Sequence, residues 1–220
     1  MRKTFLIFAI LLSGIFSAQT AKQIIDKNIE VTGGVSNWKL LNSILLQGKV
    51  ILGVNDEYAT KIYQQRPNLT KTLVTVGNKE SVVEGFDGKN GYVMNYAVNK
   101  LQVQKNYVPE SFETDYLDYE TKGFTAEFLG KERLSDKECF KVVLTQNAIK
   151  TVYYFDAQSF LLLKEVKKDE TIVYSDYRKV NNFLMPFRIE ANTPKKEGDY
   201  VMVLNKIEVN KAFPINTFKF

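Results

Sequence analysis

The chain has 220 residues, with 30 Lys and Arg, 25 Asp and Glu, a formal charge of +5, one cysteine and no histidine. The missing histidine removes the commonest general base and the commonest zinc ligand, and the lone Cys139 can form no internal disulfide. A composition of 45% hydrophobic and 25% charged residues is that of an ordinary globular protein, and the length suits one domain.

Met1-Arg2-Lys3 is a basic start, Phe5 to Phe16 is an apolar run broken only by Ser13 and Gly14, and Ser17-Ala18-Gln19 is small and polar. That order predicts a secretory signal peptide over residues 1–19, cleaved next to Ala18 or Gln19, and a mature domain over 20–220. The apolar run is too short for a spanning helix, which needs about 20 residues. No cysteine stands at the new N-terminus to carry a lipid anchor. Loss of Arg2 and Lys3 leaves only a mild positive excess, and no block of basic residues implies a nucleic-acid partner.

Thr20 and Gln23 form a predicted capping box, and Ala21, Ile24, Ile25 and Ile29 recur at helical spacing, giving an amphipathic helix over 20–32 that stops at Gly33-Gly34. A short second helix or turn over 36–41 carries the only tryptophan, Trp38. The pattern then changes to period two. Strands are predicted at 43–53, 57–66, 69–77, 79–86, 90–96, 123–132, 138–146, 149–156, 159–168, 171–180, 184–192 and 200–210, with 98–103 as a further continuation. Turn pairs such as Asn55-Asp56, Gly77-Asn78, Asp87-Gly88 and Asn181-Asn182 separate them. The lack of helices between strands predicts an antiparallel meander.

In strand 200–210, Val201, Val203, Ile207 and Val209 are assigned to one face, opposite Lys206 and Glu208. Strand 43–53 is apolar at Ile44, Leu45, Leu46, Val50, Ile51 and Leu52, as if buried on both faces. The mixture predicts an incomplete antiparallel β-barrel, a half-barrel with the N-terminal helix laid in its mouth around an apolar cavity. The interval 97–122 breaks the rhythm. Phe112, Tyr116, Leu117 and Tyr119 at helical spacing, after Pro109, Glu110 and Glu113, predict a short lid helix within 107–119.

Signals of catalysis are weak. Ser36-Asn37-Trp38-Lys39 matches S-x-x-K without a companion K-T-G, and a helix cap at Ser36 explains it better. Glu113, Asp115, Asp118 and Glu120 read as a solvated face, Asn68-Leu69-Thr70 is a bare glycosylation pattern, and Cys139 beside Phe140 reads as a buried small residue. No catalytic residue, cofactor or metal ligand is predicted.

Two motifs stand apart. Arg66-Pro67-Asn68-Leu69 joins two strands, and 21 residues on, Phe86-Asp87-Gly88-Lys89 leads into Tyr92-Val93-Met94-Asn95. After an exported amphipathic helix, this pair resembles the LolA/LolB-type lipoprotein-carrier family, as do Asp156 at a strand end and Tyr174-Ser175-Asp176-Tyr177-Arg178 ahead of Pro186-Phe187. Tyr92 and Met94 stand where the family carries a tryptophan. The resemblance implies an incomplete barrel whose helices cover a hydrophobic cavity, and carriage of acylated lipoproteins through the periplasm from an inner-membrane donor to an outer-membrane acceptor. It implies that Arg66 contacts the lid and governs opening. Parity supports that placement, since Tyr58, Ile62 and Arg66 project to one face and the Arg66 stem can line apolar surface while its guanidinium reaches the rim. Trp38, Ile62, Arg66, Tyr92 and Met94 are the expected lipid-binding or lid residues.

The expected protein is thus a monomeric, non-enzymatic periplasmic carrier of a lipid or acylated protein. Its rivals are an exported scaffold or interaction module with a filled barrel, and a hydrolase using carboxylates.

Overall fold

A computed structural model describes residues 20–53, 56–109, 111–194, 196 and 198–220. The predicted signal segment, the turn residue Asn55 and the helix-start residue Glu110 lie outside them. Helix α1 spans Ala21–Thr32 and α2 spans Val35–Leu40. The strands are β1 Ser43–Leu52, β2 Asp56–Gln65, β3 Leu69–Val76, β4 Lys79–Phe86, β5 Gly91–Asn95, β6 Lys100–Gln104 and β7 Thr125–Leu134. They continue as β8 Lys137–Gln146, β9 Ile149–Asp156, β10 Leu162–Val166, β11 Thr171–Val180, β12 Phe183–Asn192 and β13 Tyr200–Val209. Among the described residues no helix is long and apolar enough to cross a membrane.

The capping box forms as predicted: Gln23 N donates to Thr20 Oγ1 at 3.2 Å and Thr20 N donates to Gln23 Oε1 at 2.9 Å. The inward stripe of α1 is Ala21, Ile24, Ile25, Asn28, Ile29 and Thr32, all buried. Gly33 ends the helix at φ 146°, close against Phe183.

All thirteen strands form one antiparallel sheet in the order β6-β5-β4-β3-β2-β1-β13-β12-β11-β10-β9-β8-β7. The first and last strands of the chain therefore meet mid-sheet, and β6 and β7 are the two free edges. The sheet curls around α1 and α2, which is the predicted half-barrel with N-terminal helices. Its core is divided. One cluster sets α1 against Phe140, Val142, Leu144, Tyr153 and Phe155, and the other sets Leu41 and Ile44 against Phe183, Met185, Phe187, Leu204 and Ile207. Trp38 packs against both, with its ring edge-on to Phe183 at 4.9 Å.

Bulges correct the predicted faces. Gln47 pairs with Lys206 but Gly48 pairs with Leu204, so Asn205 is an extra residue in β13. Met202, Leu204 and Ile207 line the interior, which turns Val201 and Val203 away from Ile207 and Val209. Strand β10 is likewise interrupted. Leu162 pairs with Phe155 but Lys164 pairs with Tyr154, leaving Leu163 over. It is also shorter than predicted. Asp156 Oδ1 accepts from Gln158 N at 2.9 Å and Ser159 N at 2.7 Å, and Phe160 adopts φ 60°, so residues 157–161 form a turn.

The predicted lid helix is a strap of turns over the described part of 105–124, joining edge β6 to edge β7. Leu117 N donates to Thr114 O and Thr121 N to Asp118 O, both three residues back, and Asp118 sits at φ 53°. A left-handed residue in mid-run breaks the helical ladder, although the aromatics bury as a helix face would: Tyr116, Leu117 and Tyr119 are all in the core.

A latched cavity on the concave face

Paired residues on neighbouring strands share a face. Ile44 and Leu46 of β1 lie opposite Val209 and Ile207 on one side and Gln64 and Ile62 on the other. With Met202 and Leu204 they form the apolar wall of a cavity of about 560 Å³ between the sheet, α1 and the strap. That size lies within the roughly 300–1,000 Å³ of small-molecule sites. The interior is therefore not filled by the protein's own side chains, contrary to the filled-barrel alternative.

The strap covers this space and is fixed by aromatic and ionic contacts along its length. Tyr107 stacks on Phe86 with ring centroids 6.1 Å apart and sits over Gly91, where a Cβ would lie 2.1 Å from the Tyr107 Cβ. Tyr116 packs edge-on to Tyr153 at 5.4 Å and Phe155 at 5.6 Å. Between these anchors stands Arg66. Its Nε donates to Leu41 O at 2.6 Å, Nη2 to Trp38 O at 3.2 Å, and Nη1 to the Glu113 carboxylate. The guanidinium also faces the Phe112 ring, 5.4 Å from its centroid. One planar fork thus ties α2, the end of β2 and the strap together. Lys122 adds a contact to Glu113 at 3.1 Å, and Lys39 of α2 pairs with Asp118 at 2.7 Å.

Burial alone would push the Glu113 carboxyl up, but Lys122 and Arg66 outweigh it and hold it below the usual carboxylate range. A depressed carboxyl stabilises the closed strap above its ordinary pKa and stops doing so as pH falls through its folded value. Strap closure is expected to hold above about pH 5 and to weaken below about pH 4. Hydrogen exchange of 107–123 across that range checks this, and Glu113→Gln should remove the pH dependence of exchange there.

The sequence-predicted residues divide. Trp38 and Ile62 line the cavity and Arg66 stands at its rim. Tyr92 and Met94 do not reach it. Ile62 pairs with Thr72, Thr72 with Glu84 and Glu84 with Val93, so Val93 faces inward and its neighbours Tyr92 and Met94 face out. On that convex face Tyr92 stacks on Phe220 at 4.5 Å and donates to Asp87 Oδ2 at 3.0 Å. The Asp87-Gly88 motif is a turn, with Asp87 Oδ1 accepting from Lys89 N and Asn90 N.

Sequence reasoning missed the polar end of the cavity. Leu162 and Tyr153 face inward. The extra Leu163 then turns Glu165 inward too, opposite Tyr153, where regular alternation would have pointed it out. Glu165 is 8% exposed; Tyr174 Oη donates to its Oε2 at 2.8 Å, and Lys167 Nζ lies 3.3 Å from its Oε1. Burial pushes the Tyr116, Tyr153 and Tyr174 hydroxyls up, and the Glu165 charge adds to it, so all three remain proton donors. Burial opposes the charge on Lys167, but Glu165, Glu170 and Asp115 outweigh it and hold its ammonium above the usual lysine range. Of the carboxylates read from sequence as a solvated face, Asp115, Asp118 and Glu120 are exposed and Glu113 is half-buried, with Glu113 and Asp115 standing along the cavity.

An open antiparallel half-barrel with a helix in its mouth and a covered apolar hollow defines a class of architecture. Solved structures place it more closely. The chain is similar to a LolA superfamily protein from Nitrosomonas europaea, at 13% identity and TM-score 0.57, covering 92% of this chain and 99% of that one. It is similar to a putative outer membrane lipoprotein-sorting protein domain from Vibrio parahaemolyticus, at 10% identity and TM-score 0.55, covering 89% and 97%. A DUF1329 family protein from Desulfovibrio piger matches at 10% identity and TM-score 0.58, covering 90% and 97%. No protein-family model matches the sequence, and no curated protein does. The fold is LolA-like.

Proposed function

We propose that the protein is a periplasmic carrier that holds the acyl chains of a lipoprotein or another lipid in this cavity and moves them toward the outer membrane. The observation that carries the reading is the partly covered, largely apolar hollow whose cover is held by side-chain contacts centred on Arg66 and not by a strand ladder. Apolar burial would supply the affinity. An acyl chain of about 14 methylenes at about 0.8 kcal/mol each gives roughly 11 kcal/mol, so a cover that opens is needed for release. Trp38 and Ile62 would touch the chain and Arg66 would set the opening. The N-terminal export signal read from the sequence supports the compartment, and donor and acceptor proteins at the two membranes would deliver and receive the cargo. Nothing in this role is catalytic. Mass spectrometry of an organic extract of the purified protein tests it. Co-purified acyl species in near-stoichiometric amount are expected. An extract free of lipid, together with failure to take up added acyl probes, overturns it.

A further inference from the structure

The polar end of the cavity restricts the kind of lipid that fits. Glu165, Glu170 and Asp115 all act on the single Lys167, so the cavity wall there carries more negative than positive charge, while Glu113 is already held by Arg66 and Lys122. The buried carboxylate has one fixed and one exchangeable partner. Tyr174 is packed inside and donates to Oε2, whereas Lys167 is 44% exposed on the β10–β11 turn and can swing to solvent. A second, independent observation points the same way. Asn28 on α1 is 1% exposed and lines the same cavity. Its Nδ2 donates to Phe160 O at 2.7 Å, which fixes the amide orientation. Its Oδ1 is then a buried acceptor with no protein donor among the described residues. Buried acceptors without donors are costly, and this uncompensated amide oxygen behind the wall adds to the negative potential that Glu165 sets up in the hollow.

We propose that the cargo is an amino lipid, whose ammonium or amine seats against Glu165 while its chain lies along Ile44, Leu46, Ile62 and Met202. This rests on the carrier reading and adds head-group selectivity to it. The ammonium replaces the Lys167 contact at Glu165 Oε1. A fatty acid or phosphate head would meet Glu165, Glu170 and Asp115 as like charges and is disfavoured.

Three single-chain probes of equal length separate the outcomes: dodecylamine, dodecanol and dodecanoate, each used below its micelle threshold to displace a neutral fluorescent apolar probe at neutral pH. The amine is expected to bind about tenfold more tightly than the alcohol, and the acid more weakly than both. Glu165→Gln keeps the shape and the Tyr174 contact, and should bring the amine to the level of the alcohol while leaving the alcohol unchanged. Asp115→Asn should reduce the amine preference in part. Dodecanoate binding to the unaltered protein as well as the amine overturns the proposal, whether or not the variants fold. An undiminished amine preference in a folded Glu165→Gln protein also overturns it. Displacement by none of the three counts against the carrier reading itself, whereas equal displacement by all three supports the carrier and rejects the head-group site.

Discussion

Arg66→Leu is expected to free the strap while leaving the sheet intact. The substitution removes two hydrogen bonds to the carbonyls of Leu41 and Trp38, the ion pair with Glu113 and the contact with Phe112. Leucine fills part of the stem volume but donates nothing. The carbonyls can turn to water at the rim, and Glu113 retains Lys122. The Arg66 side chain is 31% exposed, so the ion pair is discounted for solvent. The remaining loss is on the order of 2 kcal/mol, or roughly thirtyfold in the population of the open strap. Faster hydrogen exchange over 107–123 and correspondingly faster release of a bound acyl probe should be seen, with unchanged far-ultraviolet circular dichroism. Arg66→Lys should recover the charge but not the fork, and lie between the two. Exchange and release at the unaltered protein's rates in Arg66→Leu would mean that Arg66 does not hold the cover.

Gly48→Ala is expected to cost more, and in a different currency. Gly48 faces the concave side at the bulge where β1 meets β13. A Cβ there would lie 2.2 Å from Val203 O, 2.7 Å from Leu204 Cα and 2.9 Å from Val203 C. These are backbone atoms held in the ladder and cannot swing aside, so the first and last strands must part. About 3 kcal/mol or more should be lost, read as a lower urea midpoint with reduced yield of folded protein. Gly53→Ala is the comparison: it meets nothing within 4 Å and bears only its left-handed φ of 59°, a cost of about 1 kcal/mol. Equal midpoints for the two variants would show that the seam is looser than the geometry describes.

The residues that obeyed a simple period were readable in advance. Ile24, Ile25 and Ile29 gave α1 its buried face, Thr20 and Gln23 gave its start, and the turn pairs marked most strand ends. What escaped was what bulges change. One added residue at Asn205 reversed the sense of Val201 and Val203, and one at Leu163 brought Glu165 inside. The run Leu161-Leu162-Leu163 carries no alternation from which a reader could find the slip. Arg66 was legible through its motif and its parity with Ile62, but its partner Glu113 was not. Glu113 is half-buried only because the strap crosses the concave face, and nothing in the local pattern specifies where a segment between two sheet edges will lie. Tyr92 and Met94 were misplaced because the strand was recognised but its phase was not. Phe86 facing inward sets Gly91 inward, and therefore Tyr92 outward.

The edges β6 and β7 stand at opposite ends of the strand order, yet are adjacent in the chain. The segment between them therefore works as a bowstring drawn across a bow. Its length limits how far the limbs can spread, and the capacity of the hollow is a property of that cord as much as of the wall. Lengthening or shortening it by a few residues would retune which cargoes fit without touching a single ladder bond, so relatives of this architecture can diverge in capacity through insertions there while the arched scaffold stays the same.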